Sequence, residues 1–117
     1  MAKVLITGGC GYIGSHTIVD LLENNYNCIS VDNYLNSDPE VLTQIEKITG
    51  EKVKNYPVDL VDKEALEDIF KEEEIYAVIH FAALKAVGES VEKPLIYYRN
   101  NIIGMINLME CLSLIHI

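Results

Sequence analysis

The sequence predicts an α/β protein built on a doubly wound parallel sheet. Three observations carry that expectation. Strand and helix patterns alternate from the first residues, the first strand pattern runs into a glycine-rich turn that opens a helix, and the second strand pattern ends on an acid.

Taken in order, Lys3 to Thr7 is a short, nearly all-apolar run stopped by Gly8-Gly9, as expected of a strand buried on both faces. A helix begins near Tyr12, with Ile18, Leu21 and Leu22 on one side, and Asn24-Asn25 breaks it. Cys28 to Val31 gives a second buried strand, followed by a polar loop from Asn33 to Ser37. Asp38-Pro39 predicts a helix start, a capping side chain with proline at the first helical position. Val41, Leu42, Ile45 and Ile48 then form an apolar stripe that Gly50 ends. Lys52 to Val58 alternates less cleanly and is expected to be the third strand. Asp62 caps the next helix, where Ala65, Leu66, Ile69 and Phe70 share a face. Tyr76 to Ala82 is the strongest strand pattern, and after a loop of small residues Pro94 opens a last helix expected to run to about Leu112. Four strands so connected, in the order 3-2-1-4, make the first half of a Rossmann-type sheet.

The totals exclude several classes of function. A chain of 117 residues fits one domain. Its net charge of −9 makes attraction to nucleic-acid backbones improbable. The acidic run around Glu64, Glu67, Asp68, Glu72, Glu73 and Glu74 reads as a solvated helix face. Cys10, Cys28 and Cys111 are odd in number and widely spaced, which is neither a disulfide framework nor a metal site and suits reduced cytoplasm. No stretch approaches the roughly 18 apolar residues of a membrane span.

The chemistry concentrates in the first turn. Gly9-Cys10-Gly11-Tyr12-Ile13-Gly14 matches G-x-G-x-x-G, after a buried strand and before a helix. Glycine there leaves no Cβ between backbone and a pyrophosphate, and the helix aims free N–H groups and its positive end at that anion. Asp32 ends the second strand, where an acid accepts hydrogen bonds from the adenosine ribose and repels a 2′-phosphate. No Arg or Lys stands between Lys3 and Lys47 to neutralise such a phosphate, so NAD is favoured over NADP. Asp59 is expected to end the third strand within reach of the adenine amino group, with a turn or capping role as the alternative. Phe81-Ala82-Ala83 is expected to end the fourth strand, where ligands bind in such sheets. His80 and His16 read as packed and hydrogen-bonded rather than catalytic.

Residues 7 to 17, TGGCGYIGSHT, resemble the opening loop of extended short-chain dehydrogenases that act on nucleotide sugars, in which the glycines are counted as Gly8, Gly11 and Gly14. Asp32-Asn33-Tyr34-Leu35-Asn36-Ser37 and the segment HFAALKAVGESVEKPLIYYRNN, from His80 to Asn101, are similar to the UDP-glucose 4-epimerases of that family. Its dehydratases usually carry Glu-Ser-His where this chain has Leu84-Lys85-Ala86. The resemblance implies NAD as a tightly held cofactor that takes hydride from carbon 4 of UDP-glucose or UDP-galactose and returns it to the other face. It implies that Tyr12 and Ile13 meet the pyrophosphate and that Asp32 to Ser37 hold the adenosine. Asp59 and Leu60 would border the adenine. Phe81, Ala82, Ala83, Leu84 and Lys85 would line the inner end of the cofactor, with Lys85 also on the substrate side, and Asn100 would complete the site.

The same resemblance implies a Tyr-x-x-x-Lys pair for proton abstraction, and none of the seven tyrosines has Lys four positions on. Residues 1–112 are therefore expected to be an incomplete, truncated cofactor-binding domain, and 113–117 a tail departing from the family. Catalytic residues and a sugar-binding domain would lie elsewhere, and the chain alone is expected to be inactive. Two rival readings are another nucleotide-sugar epimerase or dehydratase, and a non-catalytic NAD-binding module. Family epimerases are homodimers, and the fourth strand and last helix are expected to leave an open edge and an apolar surface that favour association.

Overall fold

The computed structural model describes residues 2–34, 38–82 and 91–114. Four strands form one parallel sheet: β1 (Lys3–Thr7), β2 (Cys28–Val31), β3 (Asn55–Tyr56) and β4 (Ile75–His80), in the order β3-β2-β1-β4. Between them run α1 (Tyr12–Glu23), α2 (Glu40–Thr49) and α3 (Lys63–Glu72). The described chain ends in α4 (Pro94–Tyr98), a π-helical turn (Arg99–Ile103) and α5 (Gly104–Leu114). Among the described residues no helix is long and apolar enough to cross a membrane.

The mostly apolar β1 and β2 are explained by a core on each side of the sheet. Side chains alternate along a strand, so Val4 and Ile6 enter one cluster with Ile18, Leu22 and Ile45 from α1 and α2. Leu5 points the other way, with Ile29 and Val31, against Leu66, Ile69 and Phe70 of α3 and Leu108 and Cys111 of α5. Each buried Leu or Ile contributes about 1.5–3 kcal/mol, so both faces bear on stability.

Four sequence expectations need correction. The third strand has two residues, because Pro57 has no N–H to continue the ladder and Val58 N–H turns back to the Tyr56 carbonyl at 2.8 Å. Asp59 thus lies three residues past the strand. The fourth strand starts at Ile75 and ends at His80; past it the Phe81 N–H is shared between the Thr7 carbonyl at 3.1 Å and the Thr7 hydroxyl at 3.0 Å, and the Ala82 N–H turns to that hydroxyl. The last helix is interrupted by the π-helical turn, after which Gly104 packs on Leu60. In α2, Ile48 is exposed and Ile45 alone is fully buried. That helix begins at Glu40, one residue after Pro39, with the Asp38 carboxylate accepting the Glu40 N–H at 2.9 Å. Gly50 closes it in the left-handed conformation, φ +76°.

The apolar residues of the last helical segment do cover more than one face. Leu108 and Cys111 are buried, whereas Ile102, Met105, Ile106 and Met109 stand exposed.

Candidate functional site

The glycine turn joins β1 to α1 under close steric control. Gly8 has φ +71°, and a Cβ there would stand 3.0 Å from the Ala82 nitrogen, so β4 crowds it as well. A Cβ on Gly14 would lie 2.1 Å from the Gly8 carbonyl oxygen, a contact of backbone on backbone that no rotamer change relieves. A Cβ on Gly9 would meet side chains instead, Ser30 Oγ of β2 at 2.1 Å and Ser30 Cβ at 2.7 Å. Gly11 differs. Its φ and ψ, −77° and 174°, suit any residue, and the nearest atom to an added Cβ is the Gly8 oxygen at 3.3 Å. Three of the glycines are required by the protein's own packing; Gly11 is the least constrained of the four, with one tight contact at 3.3 Å, and fits close backbone approach by a ligand.

Behind the turn, α1 begins with no side-chain cap and no acid in its first turn. The first N–H groups of a helix have no partner within it, and the peptide dipoles make that end positive. Tyr12 and Ile13, at this end, are exposed. The arrangement suits an anion. Ser15 N–H, the first to find a helical acceptor, bonds the Gly11 carbonyl at 2.9 Å.

Asp32, one residue past β2, joins the turn to the loop that follows. Its Oδ2 accepts the Cys10 N–H at 3.0 Å and its Oδ1 accepts the Tyr34 N–H at 2.8 Å. Burial, with the Asp32 charge beside it, pushes the Cys10 thiol up to about 11 against a smaller lowering by Ser30. That thiol stays protonated at neutral pH and is a packing group here. Cys28 is likewise pushed to about 11 by burial and Glu51.

Thr7, fully buried at the end of β1, ties the glycine turn to β4. Its hydroxyl accepts from the Phe81 and Ala82 N–H groups at 3.0 and 3.1 Å, which occupies both lone pairs. Its one hydrogen then goes to His80 Nδ1, 2.6 Å away, so that nitrogen carries no proton. His80 is a packed, hydrogen-bonded residue, as its position in the sequence implies.

The fold therefore brings Gly8, Gly11, Gly14, Asp32, Tyr34, Phe81 and Ala82 to the carboxyl ends of β1, β2 and β4, where ligands bind in open α/β sheets. Asn33 follows Asp32 and is exposed. Asp59 makes an Asx turn, its Oδ1 accepting the Val61 N–H at 3.1 Å. Leu60 is buried, with Gly104 against its side chain and Asn107 Nδ2 donating to its carbonyl at 2.8 Å. Asn100 lies in the π-helical turn, its Nδ2 donating to Asn101 Oδ1 at 3.0 Å. Leu35, Asn36, Ser37, Ala83, Leu84 and Lys85 lie outside the described residues. Among the described residues no cluster of His, Cys, Asp and Glu could hold a metal ion. Sequence reasoning missed Thr7 and the Cys10 N–H. A threonine closing an otherwise apolar buried strand was the available sign of the first; the second, a backbone donor, has none.

Relatives share this framework. The chain is 59% identical over 110 residues to a UDP-glucose 4-epimerase of Schizosaccharomyces pombe, covering 94% of this chain and 31% of that protein. It is 56% identical over 117 residues to UDP-glucose 4-epimerase 2 of Arabidopsis thaliana, covering 97% and 33%. It superposes with a TM-score of 0.93 and 49% identity on the UDP-glucose 4-epimerase of Bifidobacterium longum in complex with NAD+ and UDP, covering 96% of this chain and 33% of that one. The chain thus spans about a third of the length of the curated relatives it matches. The family model for GDP-mannose 4,6 dehydratase matches residues 5–116. With that model matched over nearly its whole length, the chain belongs to the GDP-mannose 4,6 dehydratase family.

Proposed function

We propose that this chain is the NAD-binding part of a UDP-glucose 4-epimerase, with residues 1–112 as the cofactor domain. The observation that carries the reading is the uncapped start of α1 behind Gly11, with the Asp32 carboxylate fixed beside the same turn. These residues fit a dinucleotide: an open backbone approach at Gly11, a positive helix end for the pyrophosphate, and an acid for the adenosine ribose. The epimerase relatives and the NAD+ in their structures support the same assignment.

In this mechanism Tyr12 and Ile13 would meet the pyrophosphate at the start of α1, beside Gly11, whose own N–H is held by the Gly8 carbonyl at 3.0 Å. Asp32 would accept the ribose hydroxyls, and with Asn33, Tyr34, Leu35, Asn36 and Ser37 it would hold the adenosine. Asp59 and Leu60 border the adenine. Phe81, Ala82, Ala83, Leu84 and Lys85 would line the inner end of the cofactor, with Lys85 also on the substrate side, and Asn100 would complete the site. NAD, when bound, supplies a reversible hydride acceptor, so epimerisation at carbon 4 needs no net oxidant. The UDP-sugar substrate, a homodimeric assembly, a cytoplasmic setting and a place in galactose metabolism belong to the same proposal. Leu84-Lys85-Ala86 favours epimerase over dehydratase within the family.

Titration with NAD and NADP tests the reading. The protein is expected to bind NAD the more tightly. Asp32→Ala should weaken NAD by about tenfold or more, since each hydrogen bond to a charged group contributes about 1.5–3 kcal/mol. NADP should weaken less, because repulsion of its 2′-phosphate is lifted. Equal affinity for the two cofactors before and after the substitution would overturn the assignment.

A further inference from the structure

Tyr34 is held in a backbone conformation that its own side chain opposes. Its φ is +62°, in the left-handed region that a tyrosine avoids. Among the described residues one other non-glycine has positive φ, Asn25, a residue type suited to that region.

Three hydrogen bonds hold Tyr34 and its surroundings. Tyr34 N–H donates to Asp32 Oδ1 at 2.8 Å. Asn55, on β3, donates through Nδ2 to the Tyr34 phenol oxygen at 2.9 Å and to the Asp32 carbonyl oxygen at 3.1 Å. A carbonyl only accepts, so the Asn55 amide cannot be turned the other way. Both hydrogens of that amide are committed here, while its Oδ1 is buried without a partner among the described residues. The remaining Asp32 oxygen takes the Cys10 N–H at 3.0 Å. A continuous path thus runs from the edge strand through Asn55, Tyr34 and Asp32 to the glycine turn.

We propose that Asn55 is a positioning residue for cofactor choice: it pins Tyr34 in the left-handed turn, and so fixes the Asp32 carboxylate that selects NAD. This rests on the NAD reading above. Without Asn55, Tyr34 relaxes, Asp32 Oδ1 loses the Tyr34 N–H, and the carboxylate turns away from the ribose. NAD is then held less well, and a 2′-phosphate is repelled less.

The test combines two measurements on Asn55→Ala. Hydrogen exchange of the Tyr34 and Cys10 amides, read without cofactor, should accelerate. NAD binding should weaken about tenfold, the scale of one hydrogen bond to a charged group, with NADP changed by less than about threefold. Tyr34→Phe, which keeps the ring and drops the phenol oxygen, should act in the same direction. In a Tyr34→Asn background, where residue 34 adopts the left-handed turn unaided, adding Asn55→Ala should weaken NAD by less than about threefold. Unchanged amide exchange would sink the pinning itself, whatever the cofactor does. Equal losses for NAD and NADP, or equal losses in both backgrounds, would reduce Asn55 to a packing residue. A parent protein that binds neither dinucleotide would remove the NAD reading and the selection role with it.

Discussion

Two helices of this protein leave parallel strands of the same sheet and begin in opposite ways. α3 starts behind Asp62, whose Oδ1 accepts the Ala65 N–H at 3.2 Å, with Glu64 in the first turn. α1 starts behind Gly11, with neither a capping side chain nor an acid. Against alanine a capping Asp or Ser contributes about 0.5–2 kcal/mol, and a glycine cap gives up only a few tenths of a kcal/mol of it, so α1 forgoes a small part of the stability that α3 takes. The difference separates a helix end built to hold the fold from a bare one, which is the end the NAD proposal gives to the pyrophosphate. α3 is anchored at its other end too: Glu73 Oε1 accepts from Lys3 Nζ at 2.8 Å, and Glu73 Oε2 from the Tyr56 hydroxyl at 2.5 Å.

The sharpest way to break this contrast is at Gly14. A Cβ placed 2.1 Å from the Gly8 oxygen cannot be accommodated without moving the turn. Gly14→Ala should cost about 3 kcal/mol, the upper part of the range for overpacked sites, and abolish NAD binding. A melt within a degree of the parent would show that the turn is looser than its contacts imply.

Asp62→Ala should cost less, about 1 kcal/mol in denaturant unfolding, with NAD affinity unchanged. If the cofactor affinity fell with it, the start of α3 would be part of the site, and the division between the two helices would be wrong.

The smallest effect concerns pH at the far end of α3. Lys3 first, then Tyr56, holds the Glu73 carboxyl below its usual range. Between the lowered value and the usual one, the unfolded chain binds more protons, so stability rises with pH there. The contribution is complete at neutral pH and is lost as pH falls through the carboxylate range. Unfolding midpoints of the parent and Glu73→Gln should therefore differ most at neutral pH and converge in acid. A gap that stays constant with pH would assign the effect to packing.

The sequence was most legible where a single physical rule acts locally. β1 and β2 are runs of apolar residues because both faces of the sheet are covered, and their ends match the expected ones. Asp62 caps α3 by proximity alone, and Gly50 ends α2 by its left-handed φ. Legibility failed where a distant partner decides. Nothing near Ala82 reveals that the hydroxyl of Thr7, 75 residues earlier, takes its N–H just past the end of β4. The π-helical turn before Gly104 likewise depends on tertiary context, with Gly104 packing on Leu60. Pro57 was readable as a strand breaker, yet the alternating Val53, Tyr56 and Val58 masked it. In the site, the G-x-G-x-x-G spacing and Asp32 were visible, whereas their joining through the Cys10 N–H is a product of the fold.

That joining has an entropic consequence. Fixing the backbone of one residue costs about 1–2 kcal/mol, and a ligand that must order a loose loop loses that amount for each residue it immobilises. Here the turn is ordered in advance, by the Gly8 carbonyl accepting the Gly11 N–H at 3.0 Å and by the Asp32 carboxylate on Cys10. A dinucleotide arriving at such a turn, as the NAD proposal has it, would keep most of its contact energy as affinity.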